Sequence, residues 1–163
     1  ADSRALLSRC ADIVAEGGAR LAIEFSPLGA MSGITTIDAA VELAHAADPG
    51  RTAVLIDTWH FFAGLASGEA SWAQLERVDL DDVAYLQFDD APTPISDDGM
   101  SEAVNRRSWP GQGTFDLDRF AATLLDRGWA GTVAVEVLNA ELARLPVAGF
   151  ARTAYESTVR YWR

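Results

Sequence analysis

Four short apolar runs, Leu21–Phe25, Thr52–Asp57, Val83–Phe88 and Thr132–Val137, recur along the chain with helix-like segments between them. Runs this short and this continuously apolar suit strands of a parallel sheet covered on both faces, because crossovers between parallel strands are helices that pack there. The intervening segments fit that requirement. Leu6, Leu7, Cys10, Ile13 and Val14 have helical spacing and are stopped by Gly17-Gly18, and Thr35 or Thr36 can cap a helix reaching His45. A helical stretch Phe61 to Ala66 follows the second run, and a long polar loop follows the third. Asp116 can then cap a helix carrying Leu117, Phe120, Ala121, Leu124 and Leu125 on one face, with Gly128 just past its end; Phe150 to Trp162 forms the last helix. The pattern is α/β: one helix, then four strand–helix units.

A chain of 163 residues, 49% hydrophobic, is long enough for one core and is expected to be a single domain over residues 1–163. No apolar run approaches the roughly 18 residues of a membrane span and no secretion leader opens the chain, so a soluble, cytoplasmic protein is expected. Net charge of −11 disfavours nucleic acid and anionic membrane surfaces as partners. Much of it lies in Asp79, Asp81, Asp82, Asp89, Asp90, Asp97 and Asp98, which are expected in solvated loops, Asp89 being equally suited to accept a hydrogen bond behind a metal ligand. The lone Cys10 is expected to pack as a small apolar group. Gly111-Gln-Gly113 is a turn signal and not a nucleotide-binding fingerprint.

Each apolar run ends on a polar residue that a buried strand should not carry: Glu24, Asp57, Gln87 and Glu136. A buried carboxylate without a partner costs several kcal/mol, roughly, so four such groups at equivalent places call for a common partner. C-terminal strand ends converge in a parallel barrel, where three carboxylates and an amide oxygen would surround a cation. The competing reading pairs them with Arg20, Arg106 or Arg107, but basic residues are scarce and none lies inside a strand. An all-oxygen set favours Mg²⁺, Mn²⁺ or Co²⁺, with Zn²⁺ ranked behind.

The segments Leu55-Ile-Asp-Thr-Trp-His60, Leu86-Gln-Phe-Asp-Asp-Ala-Pro92, Arg107-Ser-Trp-Pro-Gly-Gln-Gly113 and Val135-Glu-Val-Leu-Asn139 resemble consecutive motifs of the xylose isomerase-like TIM barrels, the sugar phosphate isomerase/epimerase superfamily. The resemblance runs from about residue 20 to the end. It implies that Glu24, Asp57, Gln87 and Glu136 hold one divalent metal on strands five to eight, that Glu24 and Glu136 also do acid–base work, that His60 contacts substrate, and that Arg107, or Arg106 in its place, holds substrate oxygens. Trp59, Trp109 and Phe25 are candidates for pocket walls, whereas Trp72, Trp129 and Trp162 are expected in packing, as is His45 unless it lies on the surface.

Such a site favours metal-assisted removal of a C–H proton beside a carbonyl, through an enediolate, in a sugar or sugar-like hydroxy-carbonyl substrate. Return of the proton to the other face or the neighbouring carbon gives an epimerase or isomerase. Loss of a β-hydroxyl gives a dehydratase, and Gln87 within Leu-Gln-x-x-Asp-Ala-Pro is similar to bacterial 3-dehydroshikimate dehydratases. A third alternative is a non-catalytic half-barrel. A complete barrel has eight strands in about 250 residues, so this chain is expected to be the second half, a fragment completed by an N-terminal half or an oligomer partner.

Overall fold

A computed structural model describes residues 3–28 and 33–163. Helix α1 (Ser3–Glu16) leads into strand β1 (Leu21–Glu24), helix α2 (Ile37–Ala47) and strand β2 (Thr52–Asp57). Helices α3 (Thr58–Ser67) and α4 (Trp72–Arg77) precede strand β3 (Val83–Phe88). Helices α5 (Gly99–Asn105) and α6 (Leu117–Leu125), strand β4 (Thr132–Val135) and helix α7 (Val147–Val159) complete the order. The strands form one parallel sheet in the order β1-β2-β3-β4, a TIM-barrel type of α/β arrangement.

Capping signals placed several boundaries. Thr36 caps α2 by accepting from Ala39 N at 3.1 Å, and Asp116 caps α6 by accepting from Arg119 N at 3.2 Å. Gly128 turns the chain at φ 92°, a left-handed conformation that a side chain resists. The polar loop expected after β3 contains α5 instead. Its N-cap is Asp98, and Glu102 within it accepts from Ile95 N and Ser96 N, so contacts with the preceding loop support a helix of only seven residues.

The sheet is covered on one face rather than two among the described residues. Ile23, Val54, Ile56, Leu86 and Phe88 point into a core shared with Ile37 and Ala40 of α2, Phe61 of α3, Leu75 of α4, and Phe120 and Leu124 of α6. Side chains alternate along a strand, so Ala22, Glu24, Leu55, Asp57, Tyr85, Gln87 and Ala134 lie on the opposite, inner face. There Ala22, Tyr85 and Ala134 stay partly exposed, because the crossover helices all lie on the outer side. Helix α1 shows a related departure: Leu7 reaches the core and Ala11 is buried, but Leu6 and Ile13 are exposed and Cys10 is half-buried.

Register explains why the four strand ends meet. Glu24 lies level with Leu55, Asp57 with Gln87, and Gln87 with Ala134, so the polar positions on β2 and just past β4 sit one side-chain repeat further along. That stagger is the tilt of strands in a barrel wall, and it keeps Glu24, Asp57, Gln87 and Glu136 on the same face.

Candidate metal centre

Asp57 is fully buried at the end of β2. Its Oδ1 accepts from Trp59 N at 2.7 Å at the start of α3, and its Oδ2 accepts from Arg107 Nη1 at 2.6 Å. Gln87 on β3 donates from Nε2 to Glu136 Oε1 at 2.9 Å, which leaves Gln87 Oε1 buried with no donor facing it. Glu136 Oε2 is 3.2 Å from Arg107 Nη1. Glu24 is the more open member, its Oε1 3.4 Å from His60 Nε2. Carboxylate oxygens of Glu24 and Asp57 and a ring nitrogen of His60 all lie within 4.8 Å of one another.

Arg107 is the cation at the centre of this cluster, and Arg106 is not. Arg106 turns away to bond Glu102 Oε2 at 2.7 Å, whereas Arg107 is 2% exposed and its Nη1 contacts Asp57, Asp89 and Glu136. Its side chain is held further by Nε donating to Ala103 O of α5 at 2.8 Å, and its backbone by Arg107 N donating to Leu138 O and Asn139 Nδ2 donating to Arg107 O at 2.9 Å. The expected rival to a metal, pairing with an arginine, is therefore present for Asp57 and Glu136, while Gln87 and Glu24 are left outside it.

Asp89 and Asp90 overturn the expectation of solvated loop acids. Both are buried. Asp89 Oδ1 accepts from Thr58 Oγ1 at 2.8 Å and Asp89 Oδ2 from Arg107 Nη1 at 2.5 Å. Asp90 accepts four backbone N–H groups, from Ala91 and Phe115 on Oδ1 and from Gly111 and Gly113 on Oδ2, at 2.9 to 3.0 Å. Its own backbone pairs with Ser108, beside Arg107. A Cβ on Gly113 would overlap Asp90 Oδ1 and Ala91 O, so this turn needs glycine. The signal for Asp89 was its place two residues after Gln87, hence on the same face; nothing local marks Asp90.

Electrostatics follow from this crowding. Burial, then the charges of Asp57 and Glu136, pushes Glu24 up to about 7. Burial also raises Asp57, Glu136 and Asp89, and the nearby carboxylates hold the Arg107 guanidinium more firmly protonated than usual. Burial, then the Arg107 charge, lowers His60 to about 4, so the imidazole is neutral at physiological pH. Three carboxylates share one guanidinium and Glu24 adds a fourth beside them, so carboxylates outnumber cations in the cluster among the described residues. That surplus, the undonated Gln87 Oε1 and the hard donor set fit a divalent cation.

A cleft of about 290 Å³ opens onto the cluster, lined by Glu24, His60, Arg107 and Glu136 with Met100, Val104 and Leu138 as apolar walls. The aromatic candidates do not form those walls. Phe25 is fully buried in the core, Trp109 packs edge-on to Phe150, and Trp59 stands edge-on to His60 with Arg107 over its ring. Trp72, Trp129 and Trp162 pack as expected, Trp72 against Phe61 and Trp162 against Phe88, while His45 bonds Asp82 at 2.7 Å. No helix among the described residues is long and apolar enough to cross a membrane.

Comparison with known proteins agrees with this architecture. Inosose isomerase of Bacillus licheniformis is 30% identical over 160 residues, covering 98% of this chain and 54% of the relative. A 3-dehydroshikimate dehydratase of Pseudomonas aeruginosa is 28% identical over 133 residues, covering 82% of this chain and 20% of that protein. The solved IOLI protein with a bound zinc atom superposes with a TM-score of 0.78 at 25% identity, over 98% of this chain and 55% of its own. The chain thus spans about half the length of the inosose isomerase it matches. The model of the xylose isomerase-like TIM barrel family matches residues 2–163, and the chain belongs to that family.

Proposed function

We propose that this chain carries the metal-binding and proton-transfer half of an isomerase or epimerase acting on a sugar or cyclic polyol that bears a ketone beside a hydroxylated carbon. The observation that supports this most is the excess of carboxylates: Asp57, Asp89 and Glu136 share Arg107, Glu24 stands beside them outside that pairing, and Gln87 Oε1 lacks a donor among the described residues. Held by Glu24, Asp57, Gln87 and Glu136, a divalent ion would supply Lewis-acid charge against the carbonyl and hydroxyl oxygens of the substrate. Manganese, magnesium and cobalt suit the oxygen donors, and the zinc of the IOLI structure brings that ion into the set.

The chain's own groups divide the work. A carboxylate oxygen of one glutamate, Glu24 or Glu136, takes the proton from the carbon beside the ketone; the C–H electron pair becomes a carbon–carbon double bond and the carbonyl π pair moves onto oxygen. The other glutamate, protonated, returns a proton to the opposite face for epimerisation, or to the former carbonyl carbon for isomerisation, in which case the proton of the neighbouring hydroxyl passes to the former carbonyl oxygen and the carbonyl moves by one carbon. Neutral His60 offers Nε2–H to Glu24 or to a substrate oxygen. Arg107 Nη1 fixes Asp57 and Glu136, and Met100, Val104 and Leu138 give the cleft an apolar side. The inosose isomerase relative supports this branch, and the chain's span of about half that relative supports completion of the inner sheet face by four further strand–helix units. A cytoplasmic location is part of the same reading.

Dehydration is the second reading, supported by Gln87 in its motif and by the dehydratase relative. It shares the first proton transfer and differs in losing a β-hydroxyl. The complete protein, loaded with Mn²⁺ and mixed with inosose in D₂O, should exchange the C–H beside the ketone for deuterium by proton NMR. Glu136→Gln should abolish that exchange. Turnover of 3-dehydroshikimate with loss of water and no exchange into inosose would favour the lyase. Absence of both reactions in the metal-loaded protein would leave a binding module.

A further inference from the structure

We propose that Asp89 is a positioning residue for the metal centre, holding the Arg107 guanidinium so that it does not take over Asp57 and Glu136. One nitrogen, Arg107 Nη1, is shared by three carboxylates: Asp89 Oδ2 at 2.5 Å, Asp57 Oδ2 at 2.6 Å and Glu136 Oε2 at 3.2 Å. Two of the three are members of the metal set and the third is not. Asp89 Oδ1 accepts from Thr58 Oγ1 at 2.8 Å, and Asp89 N donates to the same hydroxyl oxygen at 2.9 Å. Thr58, itself buried, opens α3 directly after Asp57. The Asp89 carboxylate is thus locked by Thr58 at the start of α3 through one oxygen and holds Arg107 through the other.

A cation adjoining metal ligands lowers their affinity for a second cation, both by charge repulsion and by occupying their lone pairs. Asp89 offsets the first and limits the second. Without it, the guanidinium keeps its anchor to Ala103 O and its remaining hydrogen-bonding capacity turns onto Asp57 Oδ2 and Glu136 Oε2. The position makes this specific. Asp89 is two residues past Gln87 on the same side of β3, close enough to share the arginine and too fully engaged by Thr58 and Arg107 to ligate. Groups that orient ligands from behind change metal affinity about 10- to 100-fold when removed.

This inference rests on the metal-binding reading, and the test separates the two. Mn²⁺ alone is titrated calorimetrically into the complete protein and into Asp89→Asn, Arg107→Gln and the double variant, each checked for a native circular dichroism spectrum. Asp89→Asn should weaken Mn²⁺ binding about 10- to 100-fold in the native background. In the Arg107→Gln background the same change should cost less than about 2-fold, because the group that Asp89 restrains is gone. Should Asp89→Asn not fold, Thr58→Val removes the lock while keeping every charge, and a smaller Arg107-dependent loss of affinity is expected. Native affinity in these variants, or an equal loss with and without Arg107, would overturn the positioning role. A native protein that binds no Mn²⁺ would instead remove the metal reading itself.

Discussion

Replacing Asp90 by alanine removes a buried carboxylate that accepts hydrogen bonds from the N–H groups of Ala91, Gly111, Gly113 and Phe115. Each hydrogen bond to a charged acceptor contributes about 1.5–3 kcal/mol net. Burying the charge takes part of that back, and water can reach the exposed Gly111 N–H in the variant. Counting two of the four bonds as lost without replacement gives about 3–5 kcal/mol. For a chain of this size that corresponds to a melting temperature lower by about 6–20 °C. The reference variant is Asp98→Ala, which deletes the N-cap of α5 at an exposed site and should cost about 1 kcal/mol. Urea unfolding followed by tryptophan fluorescence reports both, since Trp109 sits in the segment that Asp90 holds. A cost for Asp90→Ala within about 1 kcal/mol of that for Asp98→Ala would refute the argument, because the four N–H groups would then be satisfied equally well by water.

Three further outcomes are expected. In chelator, the raised carboxyl of Glu24 binds more protons folded than unfolded, so its stabilising contribution is complete below about pH 4.5 and is lost as pH rises through about 7; Glu136 and Asp57 act in the same direction. The metal-free protein should therefore melt at a lower temperature at pH 8 than at pH 5, and Mn²⁺ should reverse the trend; a melting temperature that climbs from pH 5 to 8 in chelator would contradict it. Gly113→Ala should destabilise by about 2–4 kcal/mol in urea titration, since a Cβ there overlaps Asp90 and Ala91. Arg107→Gln should reduce kcat for C–H exchange by at least about 100-fold, against less than about 3-fold for Arg106→Gln, whose charge serves Glu102.

The sheet was legible because its information is local. Apolar runs of strand length, alternation and a polar residue at each C-terminal end specify β1 to β4 and the face on which Glu24, Asp57, Gln87 and Glu136 meet. Helix α4 carried a readable signal as well, Ser71 and Gln74 forming a capping box, although its apolar content is too short for periodicity to reveal. Helix α5 had no such signal; it begins at a glycine in an acidic stretch and depends on Glu102 receiving the Ile95 and Ser96 amides. Asp90 was hidden, and Asp89 only half marked by its place after Gln87, for a different reason. A run of aspartates resembles solvated loop, and what buries these two comes from Arg107, Gly111, Gly113 and Phe115, residues about 20 positions further on in sequence. Choosing Arg107 over Arg106 likewise needed the loop's path, since adjacent arginines are equivalent until the backbone aims one of them inward.

Glu24, Asp57, Gln87, Asp89 and Glu136 hang from one continuous wall, β1 to β4 and the residues just past their ends, while the inner face of that wall, with Ala22, Tyr85 and Ala134, remains partly open. Such a layout separates inheritance of the chemistry from inheritance of the substrate. If, as proposed, a further segment covers the open side, a designer could graft a different mate there while the carboxylates of the cluster keep their places on the strands. A library of such mates on this fixed wall is a direct route to altered specificity, and Tyr85, at the centre of the open side, is the first residue such a mate must accommodate.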